Sequence, residues 1–122
     1  MKIKQTQAVK NLIKACYPNY KGRKVYLSTE IPNDLSSYWD SGSRDYYVFA
    51  DVRSGETKQV STNHPAFEPN KPRTLNSLPS GFLLVKHSIF MGHDTGITIY
   101  ANESDFKKFL PKNEQNLIEQ NI

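Results

Sequence analysis

The sequence predicts an α+β fold: an antiparallel β-sheet of about four to five strands, arranged as two hairpins, with an N-terminal helix and a short C-terminal helix. Three observations carry this. Apolar residues recur at helical spacing near both ends of the chain, β-forming runs separated by tight turns fill the middle, and Pro and Gly mark the boundaries. A partly closed small barrel is the alternative arrangement of the same strands.

The first helix is expected over about residues 4–16. Val9, Leu12, Ile13 and Cys16 stand at i, i+3, i+4 and i+7, one apolar stripe, while Lys10 and Lys14 stack on another face. Pro18 stops the helix, and Asn19–Gly22 turns the chain. Lys24–Ser28 reads as a short strand ended by Pro32, and Asn33–Ser43 as a polar loop carrying Leu35, Tyr38 and Trp39. Asp45–Val52 is a strand rich in Tyr, Val and Phe, and Ser54–Gly55 turns it into a returning strand at Thr57–Ser61.

Ser61–Ser80 holds Pro65, Pro69, Pro72 and Pro79 with little periodicity, and loops of that length are often functional or disordered. Pro69-Asn70-Lys71-Pro72-Arg73 has the spacing of a polyproline-II ligand. Gly81–Phe90 is the longest apolar run; Met91–Thr95 is expected to turn and Gly96–Ala101 to return, forming the second hairpin at the centre of the sheet. Leu83, Val85, His87 and Ile89 alternate onto one face, as do Ile97 and Ile99. Asn102-Glu103-Ser104-Asp105 is a capping sequence for a helix that buries Phe106, Phe109 and Leu110 before Pro111. Residues 1–111 form the expected domain, and 112–122 a tail that is either docked or frayed.

Size and composition bound the rest. The 122 residues suit one domain with a real core, since 37 % are apolar and seven Tyr, six Phe and one Trp give bulk. No run reaches the roughly 18 apolar residues that span a bilayer. The opening stretch is too polar for a signal peptide, and Cys16 is the only cysteine, so a cytoplasmic setting is expected. Net charge is +4, but it is unevenly spread. Lys2, Lys4, Lys10, Lys14, Lys21, Arg23 and Lys24 precede any acid, and the chain from Glu30 onward is mildly acidic. Such a segment can attract nucleic acid, a nucleotide or an acidic protein; a solvated helix face is the plainer reading.

Motifs for catalysis are weak. Asp94-Thr95-Gly96 is the triplet of aspartic proteases, but their chemistry needs two facing aspartates, and here Gly92-His93 rather than apolar strand residues precede it. The run reads instead as a hairpin turn with Gly96 supplying a relaxed backbone. His87, His93 and Asp94 would be the ligands of a metal-dependent hydrolase, though the spacing fits no familiar zinc pattern. No cofactor and no metal are expected, and Cys16 belongs to the core rather than to a nucleophile site.

Two segments suit binding better. Around the Ser41-Gly42-Ser43 turn, hydroxyls and backbone N–H groups can hold an anion, Arg44 can pair with phosphate, and Trp39 can stack on a base. The alternative there is a structural loop with Trp39 buried and Arg44 bridging Asp40 or Asp45. In the N-terminal segment, Tyr17, Tyr20 and Tyr26 alternate with Lys14, Lys21, Arg23 and Lys24, the general recipe for single-stranded nucleic acid. The predicted site is therefore Arg44, Trp39, Ser41, Ser43, Lys14, Lys21, Arg23 and Lys24.

The stretches YWDSGSRDYYVFADV, from Tyr38 to Val52, and GFLLVKHSIFMGHDTGITIYA resemble small proteins of phages and prophages. The resemblance implies a mobile-element origin and a host-directed or defence-countering role, and carries no catalytic residues. The expected function is a non-enzymatic module that binds an anionic ligand, nucleic acid or nucleotide. The alternative is a protein-interaction or inhibitor module using the Pro-rich loop or a sheet edge.

Overall fold

Thr6 sets the first helix. Its hydroxyl accepts the Val9 N–H, replacing a partner that the first helical turn lacks, and α1 then runs Gln7–Cys16. Lys4 and Gln5 precede the helix rather than belong to it. The expected stripe is the buried one: Val9, Leu12, Ile13 and Cys16 are all inside. Each contributes roughly 2 kcal/mol of apolar burial. The helix closes with the Tyr17 N–H on the Ile13 carbonyl, immediately before Pro18. The computed structural model describes residues 2–30, 38–40, 42–52, 57–60, 81–101 and 103–115.

Among the described residues six strands follow: β1 (Val25–Ser28), β2 (Tyr38–Asp40), β3 (Ser43–Asp51), β4 (Lys58–Val60), β5 (Phe82–Phe90) and β6 (His93–Tyr100). They form one sheet in the order β1-β6-β5-β3-β2, with β4 also on β3. Both expected hairpins are present, β3 with β4 and β5 with β6. Short β2 and β4 occupy opposite ends of β3, at Ser43–Asp45 and Phe49–Asp51.

The α+β class, the mostly antiparallel sheet and the two helices are as expected, and three details differ. The sheet is mixed, because β1 runs parallel to β6, from Val25 beside Ile97 to Ser28 beside Tyr100. α1 and β1 pass the chain to an edge that β6 reaches only much later, so no local pattern announces their pairing. The segment expected as a loop through Ser43 contains β2, joined to β3 by a tight connection that includes Gly42 at φ 88°. Finally, the β5–β6 turn is only Met91-Gly92, with φ 52° and 80°, the left-handed pair of a two-residue hairpin. His93, Asp94 and Thr95 are strand residues, and the relaxed backbone is at Gly92, not Gly96. Gly96 serves a close approach instead: a Cβ there would come within 3.3 Å of the Tyr26 ring.

Both helices lie on one face of the sheet. α2 (Glu103–Phe109) adds Phe106, with Leu110 beyond it, to a core of α1 residues and of Val25, Leu27, Ala50, Leu83, Val85, Ile97 and Ile99. Asn102 of the expected cap lies outside the described residues. The opposite face has its own smaller cluster, Phe49, Leu84 and Tyr100, packed with Tyr47 and Val60. Past Pro111 the chain docks rather than frays as far as Gln115. A 3-10 turn, Lys112–Glu114, brings the Glu114 carboxylate to the start of α1, where it accepts the Gln7 N–H at 2.9 Å. Residues 116–122 of the expected tail and the whole Pro-rich stretch 61–80 are outside the described residues.

Candidate functional site

The helical face is not covered along its whole length. α1 ends at Cys16 and the chain turns away, and among the described residues no helix covers the hairpin-tip end of β3, β5 and β6. Side chains directly opposite in an antiparallel ladder share a face, so the register shows what lies there. Behind the last core rungs comes Tyr46–His87–Ile97, and then Arg44–Ile89–Asp94.

Asp94 reaches this face through an irregularity. The β5–β6 ladder pairs Ser88 with Gly96 but Ile89 with Asp94, so Thr95 is an extra residue, a β-bulge. Strict alternation from Ile97 would have put Thr95 on the helical face and Asp94 on the other. The bulge exchanges them, and the displaced Thr95 hydroxyl donates to the Ser88 carbonyl at 3.0 Å. One slipped residue thus makes the contact at the centre of the site: His87 Nε2 lies 2.8 Å from Asp94 Oδ1. A carboxylate can only accept, so Nε2 carries the proton.

The second Asp94 oxygen accepts the Lys21 backbone N–H at 2.8 Å. Burial alone would raise the Asp94 carboxyl. It is outweighed by the Lys21 N–H and the His87 ring together, which hold Asp94 below the usual carboxylate range. The pair remains in reach of solvent, with side chains 12 % and 20 % exposed. Three tyrosines surround the imidazole, their ring centroids at 4.9 Å (Tyr17), 5.2 Å (Tyr20, edge-on) and 6.5 Å (Tyr46). The Tyr17 hydroxyl donates to the carbonyls of Tyr46 and Val85, and the Tyr20 hydroxyl to that of Lys24. Burial pushes the Tyr17 phenol well above its ordinary value, so it stays neutral. The same cause raises Tyr20.

The predicted residues fall around this centre in different ways. Arg44 is exposed, in strand rather than loop, two strands from Asp94 on its rung. Lys21 is exposed at the opposite flank, anchored by its own N–H on Asp94. Interstrand spacing puts the backbones of Arg44 and Asp94 about 10 Å apart. Lys14 is exposed in the last turn of α1, on the approach to the same end. Arg23 and Lys24 are exposed just before β1, where their carbonyls accept from the Gln5 amide and the Ile97 N–H. Trp39 pairs with Arg44 in the β2–β3 register. Ser43 pairs with Phe90, one position on, and so belongs to the opposite face. Ser41 lies outside the described residues. Tyr17 is committed to packing and hydrogen bonding rather than offered to a ligand.

The metal triad does not assemble. His93 pairs with Phe90 and turns to the other face from His87 and Asp94. Among the described residues no group of three or more His, Cys, Asp or Glu side chains converges. Sequence reasoning grouped His87 with Asp94 only as candidate metal ligands, and missed both their direct hydrogen bond and its anchor on the Lys21 N–H. Cys16, the last residue of α1, is buried against the sheet, and that burial raises its thiol to about 12. Such a thiol is almost wholly protonated at neutral pH, which removes it as a nucleophile.

At the extreme tip, Phe90 and Met91 are 51 % and 65 % exposed, and the Met91 N–H bonds the Gly42 carbonyl of the neighbouring hairpin. No helix among the described residues is long and apolar enough to cross a membrane. No family model, no curated protein and no solved structure matches this chain.

Proposed function

We propose that the open end of the helical face binds an anionic ligand, and that this ligand is single-stranded nucleic acid. One observation supports the reading above the others: the Arg44–Ile89–Asp94 rung and the Lys21–Asp94 hydrogen bond bring two chain segments, distant in sequence, to the flanks of one surface. Lys21 and Arg44 then stand on either side of a half-exposed aromatic floor. Phosphates along a strand would meet the flanking cations, and unstacked bases would meet Tyr20 and Tyr46. Asp94 opposes this least where it is, because its two oxygens are already occupied by His87 and Lys21. Binding alone, without covalent chemistry, is the activity proposed.

Fluorescence polarisation with short single- and double-stranded oligonucleotides, across a salt series, tests this. The doubly reversed variant Lys21→Glu/Arg44→Glu should weaken single-strand binding at least about tenfold and flatten the salt slope by about two. Lys112→Glu, at the far end of α1, should leave both unchanged. Equal affinity and slope in parent and double variant would overturn the reading.

A protein partner is the second reading, and the exposed Phe90 and Met91 favour it. Its signature would be a stoichiometric complex that survives nuclease and moderate salt and is lost in Phe90→Ser/Met91→Ser.

A further inference from the structure

The face turned away from the helices carries an open groove of about 500 Å³, within the volume range of small-molecule sites. Its floor is one rung, Tyr26–Thr98–Lys86, across β1, β6 and β5. Its wall is the next rung, Ser28 with Tyr100, and Glu30 stands where the chain leaves β1. None of these residues belongs to the site proposed above, which lies on the other side of the sheet.

The chemistry lining the groove is specific in kind. Tyr26 sits hard against Gly96, whose missing side chain lets the ring lie close to β6. That gives one aromatic body fixed in place. Lys86 is half-buried at the middle of the central strand, and among the described residues no carboxylate pairs with it. A lone cation held over an aromatic and hydroxyl-lined floor is a point receptor for one anionic group. Glu30 is exposed, and the Ser28 hydroxyl, by accepting the Glu30 N–H at 3.2 Å, fixes the backbone that carries it. A carboxylate accepts hydrogen bonds from both hydroxyls of a vicinal diol, the interaction by which an acidic residue holds a ribose. Negative charge also limits the ligand. Glu30 stands at the groove, and Asp45, paired with Ser88, lies on the same face of the sheet, so further phosphates crowded into the groove itself would be repelled.

We propose that this groove binds a ribonucleoside bearing a single phosphate, with the phosphate on Lys86, the ribose hydroxyls on Glu30 and the base against Tyr26. The same unit occurs as a free nucleotide and as an unpaired residue of RNA. One ammonium answers one phosphate. Further phosphates meet the two carboxylates, and a 2′-deoxy sugar leaves Glu30 with half of its donors.

NMR titration of the isotopically labelled full chain tests the assignment, with adenosine monophosphate, its 2′-deoxy analogue, adenosine triphosphate and a short oligoadenylate as probes. Shift changes should centre on Tyr26, Ser28, Glu30, Lys86, Thr98 and Tyr100. The monophosphate should bind about tenfold more tightly than the triphosphate, Lys86→Met should lose about tenfold, and Lys86→Arg should recover most of it. Unchanged amide dispersion in Lys86→Met separates lost binding from lost folding. Saturation by the monophosphate alone assigns a free nucleotide; saturation by the oligonucleotide at the same residues assigns RNA. Either upholds the groove. The Lys21→Glu/Arg44→Glu variant should show the same groove shifts as the parent, so failure of the helical-face reading leaves this one standing. Shifts confined to Lys21, Arg44 and His87, no shifts at millimolar ligand, or a triphosphate that binds better than the monophosphate would each overturn it.

Discussion

The two ends of the helical face are built from the same strands and do opposite things. Near α1 and α2 the rungs are Val85–Ile99 and its neighbours, fully buried and purely apolar. Farther along the same strands the rungs are Tyr46–His87–Ile97 and Arg44–Ile89–Asp94, where exposed and half-exposed, mostly polar side chains join the buried Ile97. The difference is the length of α1. Ten helical residues cover about 15 Å of sheet, and beyond them the uncovered face has no reason to be apolar. Stability should therefore be concentrated at one end and recognition at the other.

The largest test of that division is a pair of truncations. Phe106→Ala removes a side chain that is 1 % exposed and should cost about 4 kcal/mol, from lost transfer energy and the cavity left behind. Ile89→Ala, at the open end, should cost roughly 1 kcal/mol, because a half-exposed side chain has less burial to lose. Denaturant unfolding monitored at the tyrosines measures both. Similar losses would mean that the open end is as much core as the helical one.

What could be read from the sequence follows the same division. The packed end is periodic, so Val9, Leu12, Ile13 and Cys16, and the alternation through Leu83, Val85, Ile97 and Ile99, predict their own burial. The open end departs from period. Alternation cannot show that Thr95 is an extra residue, and without that bulge Asp94 would face away from His87. Met91-Gly92 lacks the Asn or Asp that usually announces a two-residue turn, so the hairpin was expected to be longer. β2 is three residues ended by polar turn formers, too short for a β signal to outweigh its composition. The cations were legible as a basic segment. That Lys21 shares a surface with Arg44 is a property of the ladder, and no composition encodes it.

Glu114 is an intermediate case and gives the second test. It is 8 % exposed, one oxygen accepts the Gln7 N–H, and the other has no partner among the described residues. A buried carboxylate is tolerated there because the helix start presents N–H groups and the positive end of the dipole. Glu114→Gln keeps shape and removes charge, and should lower stability by about 1 kcal/mol. An unchanged or raised midpoint would mean that the half-satisfied carboxylate costs as much as the cap contributes, and that docking of 112–115 rests on apolar contact alone.

The smallest effect is local and concerns the latch between the two flanks of the open end. Asp94 is held below the usual carboxylate range, so the folded state favours its ionised form. The sign follows from proton linkage: a depressed folded value contributes stability above the unfolded carboxylate value, and that contribution is lost as pH falls through the folded one. The window is thus acidic, below about pH 4. In it, protonation should weaken the bond from the Lys21 N–H, and the segment that carries Lys21 should loosen while the core of Phe106, Leu12 and Ile97 holds. Amide exchange and the Lys21 N–H chemical shift, followed against pH, report this directly. Both should respond together in the parent, and both should lose their pH dependence in Asp94→Asn, which cannot titrate. Loss of core protection in the same window would show that the latch is part of the cooperative fold. The open end would then be held by the core, and Lys21 would be placed by folding itself rather than by one carboxylate.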